Sequence, residues 1–108
     1  MASFVVITTL SERFKQSYRK AISDANSGGT FKLPDDIERS RDDHNKYLEQ
    51  LKESGKLFCA GPFDDFDSAL LIFQNSPEDE IRKIMEEEPH TRNGFFTAWE
   101  VREWHHRF

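Results

Sequence analysis

Residues 4–10, Phe-Val-Val-Ile-Thr-Thr-Leu, constrain the fold more than any other stretch of this chain. Nearly every side chain in the run is β-branched or aromatic, with no alternation of apolar and polar residues. A strand whose one face met water would alternate, so this run reads as a strand buried on both faces.

The segments that follow decide what such a strand packs against. Ser11 is placed to cap a helix carrying Phe14, Tyr18, Ala21, Ile22 and Ala25 at helical spacing, and Asn26-Ser27-Gly28-Gly29 stops it. Pro34 then ends a loop. Asp35 as N-cap with Glu38 three residues on forms a capping-box pattern. The helix so opened has Ile37, His44, Leu48 and Leu51 on one stripe and Gly55 as its stop. Residues 57–60 read as a strand ending at Gly61-Pro62, Asp64-Asp65-Phe66-Asp67 as turn material, and residues 68–73 as a returning strand. Ser76-Pro77-Glu78-Asp79 offers a serine cap, proline at the first helical position and two acids in the first turn. Ile81, Ile84 and Met85 form the buried stripe of that helix, and Pro89 ends it. Gly94 opens a last strand over residues 95–104, apolar on both faces. Phe95, Thr97, Trp99 and Val101 lie on one face, and Phe96, Ala98 and Trp104 on the other.

Without its first helix the order is βαββαβ, the ferredoxin-like split unit, in which two helices cover one face of an antiparallel sheet. Strands apolar on both faces leave the second sheet face to be covered, and a second copy of the chain is the economical cover. The expected fold is therefore α+β, one domain over residues 1–108, with residues 12–33 a helix and loop added near the pocket mouth or the dimer edge.

Composition bounds the function. The 108 residues carry a net charge of −5, and no stripe of Lys and Arg appears, which argues against nucleic acid as a partner. The N-terminus lacks a basic leader region, and no apolar run reaches the ~18 residues of a membrane span. The single cysteine, Cys59, fits a reducing compartment, so a cytoplasmic protein is expected. Cys59 reads as a core thiol on an inner strand.

His44 is the most informative residue. It shares its helix face with Leu48 and Leu51, which turns the imidazole inward. Two readings stand: a buried histidine satisfied by a backbone carbonyl, or a general acid or base, since imidazole titrates near neutrality. Glu88 is the candidate partner, because the proline that follows biases it out of the helical region and lets it turn back toward the sheet. Metal chemistry finds no support: His105 and His106 are adjacent and point to opposite faces of an extended chain, and no Cys-x-x-Cys or His-x-x-x-His spacing occurs. Gly28-Gly29 has no following lysine and is no phosphate loop.

Arg41-Asp-Asp-His44-Asn-Lys-Tyr47-Leu48, Gly55-Lys-Leu57, Ala60-Gly61-Pro62, Ala69-Leu-Leu-Ile72, Glu88-Pro89 and the closing Trp104 together resemble the YCII-related (YciI-like) family. The likeness runs from Phe4 to Trp104 apart from about residues 12–33, which exceed the family's usual connection. It implies a ferredoxin-like dimeric α+β barrel and a His–carboxylate pair as the active site. His44 matches the family's histidine, and Glu88 stands where the family has Asp before Pro, one methylene longer with the charge kept. The resemblance implies a small enzyme of lyase or isomerase type, without metal or organic cofactor, acting on a small aromatic or lactone substrate. In that reading His44 moves a proton and Glu88 orients it. Arg41 holds a substrate carboxylate or phenolate, Tyr47 adds to substrate binding, and Gly61 and Pro62 shape the pocket floor. The alternative is a non-catalytic dimeric module that binds a small ligand or regulates through the same cavity.

Overall fold

The computed structural model describes residues 3–108; Met1 and Ala2, which begin the segment read as lacking a leader, lie outside the described residues. Eight elements follow one another: β1 (Ser3–Leu10), α1 (Glu12–Asn26), α2 (Asp35–Glu53), β2 (Leu57–Pro62), β3 (Ser68–Phe73), α3 (Glu78–Glu87), α4 (Pro89–Arg92) and β4 (Phe96–Trp104). The sheet order is β2-β3-β1-β4 and every pairing is antiparallel. This is the ferredoxin-like arrangement, with β1 in the interior of the sheet as its unbroken apolar run requires.

Period 2 divides β1 between two faces. Val6, Thr8 and Leu10 are buried in the core with Leu71 and Phe73 of β3, Ile37 and Leu51 of α2, and Ile81 and Met85 of α3. Thr8 is the polar member of that set, and its hydroxyl lies 3.5 Å from the Ala69 carbonyl oxygen. On the opposite face Val5, Ile7, Leu70 and Ile72 are only half-buried. The last strand departs from expectation here. Glu100 stands opposite Ile7 and Arg102 opposite Val5, so the outer face of β4 is charged between Ala98 and Trp104.

Local chemistry sets the element ends, with two corrections. Ser11 caps α1 as expected, its Oγ accepting from Phe14 N at 3.1 Å. Neither of the other expected caps forms: α2 is preceded by Pro34 and α3 by Pro77, neither start has a side-chain cap, and Ser76 donates instead to the Gln74 carbonyl. Proline's fixed φ presets the chain for helical entry, which leaves the acids at the first helical positions to face the positive end of the helix dipole. Cys59 is the other correction. It lies on β2, which ends the sheet rather than running inside it, and is exposed.

Packing as well as ion pairing fastens α1. Phe14 and Ala21 are buried in the same core as β1, and Leu33 joins them from the loop that follows. Outside, Arg13 makes two hydrogen bonds to Asp36 of α2 at 2.6 and 2.8 Å. Lys15 reaches Asp67 and Arg19 the Asp65 carbonyl oxygen, both in the β2–β3 turn. Exposed pairs of this kind contribute little, because water and salt screen them. Phe14→Ala is therefore expected to cost about 3–5 kcal/mol in urea unfolding. Asp36→Asn should leave the unfolding midpoint nearly unchanged, and a larger loss from Asp36→Asn than from Phe14→Ala would overturn this assignment.

Candidate active site

A cavity of about 420 Å³ lies between α1, α2 and the sheet. Its walls are largely aromatic and aliphatic: Phe14 and Tyr18 from α1, Leu48 from α2, Leu10 and Leu71 from the sheet, Phe66 from the β2–β3 turn and Phe96 from β4. Arg41, His44, Asn45 and His90 are polar residues of the lining, beside the Tyr18 hydroxyl.

The polar arrangement starts at Glu88. As a residue before proline it takes extended backbone, φ −62° and ψ 131°, and so ends α3. Its side chain then caps α4, with Oε2 accepting from His90 N at 2.8 Å and Thr91 N at 3.2 Å. Oε1 is left for the Nδ1 of His44, with which it makes a hydrogen bond. Glu88 is completely buried, whereas the His44 side chain keeps 17% of its surface. A carboxylate that accepts at both oxygens assigns the proton of this bond to His44 Nδ1, and in the neutral ring Nε2 is then the acceptor.

His44 does not stand alone. Its ring stacks on that of His90, with centroids 4.1 Å apart and planes inclined by 19°. Phe96 meets the edges of both rings, and Phe14 that of His90. His90 is buried, and its Nδ1 lies 2.7 Å from Ser40 Oγ, to which Asn93 Nδ2 donates at 3.0 Å. Burial, and secondarily the neighbouring His44, push the His90 imidazole down to about 3, so it is neutral at pH 7.

Arg41 lies one turn before His44. Its guanidinium carbon is 6.0 Å from the Tyr18 ring centroid and 5.8 Å from that of Phe31, and it takes part in none of the ion pairs among the described residues. An arginine positioned by aromatic rings with its donors unspent is suited to a ligand anion. Burial raises the Tyr18 phenol above its usual range, with Arg41 opposing.

Arg41, His44, Gly61 and Pro62, all expected to face the pocket, line this cavity, and Glu88 lies directly behind His44. Tyr47 does not join them. Its hydroxyl donates to the Ile84 carbonyl at 3.3 Å, which directs the side chain toward α3 rather than into the cavity. Sequence reasoning missed His90, Ser40, Phe66 and the pocket role of Tyr18. Phe66 was hidden in what reads as turn material. It holds a left-handed backbone, φ 60°, uncommon outside glycine, and its ring stacks on Tyr18 at 5.2 Å. For His90 the sequence offers only its place directly after Glu88-Pro89, which does not say where the ring points. Among the described residues no group of three or more His, Cys, Asp or Glu side chains is placed to hold a metal ion, and no helix is long and apolar enough to cross a membrane.

Comparison with known proteins agrees with this architecture. The YCII-related domain matches residues 18–105. Among solved structures, 5-chloro-2-hydroxyhydroquinone dehydrochlorinase from Burkholderia phenoliruptrix AC1100, in complex with 2,5-dihydroxybenzoquinone, is similar. It is 24% identical, the match covers 97% of this chain and 95% of that one, and the TM-score is 0.59. At that identity the likeness is one of fold. No functionally curated protein matches the chain.

The lowered His90 ring makes a pH prediction. Above pH ~6.5 the folded and unfolded chains both hold it neutral, so it has no effect on pH dependence. Below that value the unfolded chain takes a proton that the folded chain refuses until about 3, so stability falls with pH across this window. The slope from one such group is at most about 1.4 kcal/mol per pH unit. The charged and titratable groups near His90 are His44 and Arg41 on α2 and Glu88 before α4. Urea unfolding from pH 6.5 to 5, ahead of most carboxylate titration, should show a shallower loss in His90→Phe than in wild type. Equal slopes would place the His90 titration elsewhere.

Proposed function

The chain belongs to the YCII-related family, and from that premise we propose that it is a small enzyme of lyase or isomerase type that moves a proton on a small aromatic or lactone substrate without metal or organic cofactor. The observation that carries this reading is the sealed Glu88 carboxylate bonded to His44 Nδ1 at the wall of the 420 Å³ cavity. A buried carboxylate behind an imidazole fixes its tautomer and steadies the imidazolium that forms on proton transfer. His44 Nε2 is then the base, and Glu88 is a positioning residue. Arg41 holds a phenolate or carboxylate on the substrate, and Gly61 and Pro62 shape the floor. The aromatic walls favour a flat ring, the kind of ligand named with the dehydrochlorinase to which the fold is similar.

The same reading includes a homodimer, with residues 1–108 as one domain and residues 12–33 as an insertion at the cavity. It is supported by Val5, Ile7, Leu70 and Ile72, half-buried apolar side chains on the sheet face opposite the helices. A single exposed cysteine fits a reducing, cytoplasmic setting.

Enzyme-dependent incorporation of deuterium from D2O into a panel of hydroxyquinols and unsaturated lactones, followed by NMR, tests the reaction. Wild type should exchange one ring or α-carbon hydrogen. His44→Ala should lose about 10²–10⁴ in rate while remaining folded. Ligand binding unaffected by His44→Ala, with no exchange across the panel, would instead favour a binding module. Light scattering at micromolar concentration should give twice the 12.7 kDa chain mass, and a monomer would remove the dimer from the proposal.

A further inference from the structure

The proton-transfer reading uses His44 and leaves His90 without a task, although His90 lines the same cavity and is stacked on the base. We propose that His90 is a fixed hydrogen-bond donor to the substrate, its Nε2–H meeting a carbonyl or phenolate oxygen adjacent to the hydrogen that His44 removes. The assignment rests on the reading of His44 as the base, and it narrows the ligand to small flat rings with an acceptor oxygen beside an acidic hydrogen.

The direction of the proton follows from Ser40. This hydroxyl is 1% exposed and accepts from Asn93 Nδ2. Its own hydrogen has one acceptor within reach, His90 Nδ1 at 2.7 Å. Were Nδ1 protonated instead, Ser40 Oγ would face two donors while its own buried hydrogen went unpaired, at a cost of about 1–3 kcal/mol. The His90 proton therefore sits on Nε2. That nitrogen has no protein partner, and the one sealed side-chain polar atom lacking a partner among the described residues is Thr91 Oγ1. His90 Nε2 is thus open toward the cavity that the ring lines.

The two stacked rings are complementary as a result. Glu88 holds the proton of His44 on Nδ1 and makes its Nε2 an acceptor; Ser40 accomplishes the reverse for His90. In the proposed step the substrate's C–H proton passes to His44 Nε2. The electron pair of that bond forms a new C=C bond, the carbonyl π pair moves onto oxygen, and the resulting enolate oxygen is held by His90 N–H. The oxygen pair then re-forms the carbonyl, and the C=C pair does one of two things. It either takes the proton back from His44 at the far carbon of a conjugated system or expels a leaving group from the adjacent carbon with its bonding pair, His44 then passing its proton to water. A neutral donor serves this purpose better than a charged one, because it does not raise a second positive charge beside the imidazolium formed at His44. The lowered protonation tendency of His90 is consistent with that role.

Two measurements test the proposal without turnover. Long-range 1H–15N correlation NMR of the wild-type protein at pH 7 should show His90 as the Nε2–H tautomer, and Ser40→Ala should admit the Nδ1–H form. Binding of 4-nitrophenolate, read from its visible absorbance, should be weakened about 10- to 100-fold in His90→Phe, the effect of one hydrogen bond to a charged oxygen. An Nδ1–H tautomer in wild type, no phenolate binding to wild type, or equal binding by His90→Phe each overturns it. The deuterium assay stands apart: absent exchange with the Nε2–H tautomer and His90-dependent binding intact refutes the base at His44 and leaves the donor at His90.

Discussion

The site depends on one buried carboxylate. Glu88 is fully enclosed, and an ionised group there is tolerable only if its oxygens are all satisfied. Two backbone N–H groups of α4 and the ring of His44 meet that demand. The same contacts join the end of α3, the start of α4 and the middle of α2. Losing the carboxylate would free the short helix from its cap and the imidazole from its orientation together, so fold and chemistry are coupled at this point. Proline is what makes the arrangement possible, since it turns Glu88 out of α3 and opens α4 in the same step.

Around that centre the protein sorts its polar and apolar matter by element. β1 and β3 supply Leu10, Ala69 and Leu71 to the walls, being interior strands with one face in the core. α1 and the β2–β3 turn supply Phe14, Tyr18 and Phe66 of the aromatic walls, with Phe96 from β4, and the first two segments are tied to each other by side-chain contacts at the surface. Tyr18 is central to this outer part: it stacks on Phe14 and Phe66, meets Phe31 edge-on and lies under Arg41. The cavity thus joins Phe14 and Tyr18 of α1 to Phe66 of the turn, with Arg41 and His44 of α2 and His90 of α4 on its polar side.

Most of the architecture was legible because it rests on periodicity. The apolar run of β1, the helical stripes at Ile37 and Leu51 and at Ile81, Ile84 and Met85, and the strand over residues 68–73 all lie where spacing put them. The helix starts were less legible, because Pro34 and Pro77 sit where Asp35 and Ser76 were expected to cap, and a one-residue shift leaves the helical pattern intact. Strand position in the sheet is a further step removed: nothing in Leu57-Phe58-Cys59 distinguishes an edge strand from an interior one, so Cys59 was read as buried. The charges on the outer face of β4, by contrast, were legible, since period 2 places Glu100 and Arg102 on the face of Ala98 and Trp104.

The pairing of His44 with Glu88 was within reach for a different reason, namely that a helix face and a pre-proline bend each have a direction. His90 lay beyond that reasoning because its surroundings come from three separate elements. Ser40 is one helical turn before His44 on α2, Asn93 follows α4, and Phe14 belongs to α1. Read locally, His90 is a polar residue after a proline in a short acidic stretch. Only once Glu88 caps α4 does the His90 backbone N–H become fixed, and with it the ring beneath His44. The carboxylate that orients one histidine through its side chain therefore positions the other through its main chain, and this sets the two imidazoles in parallel at the same wall.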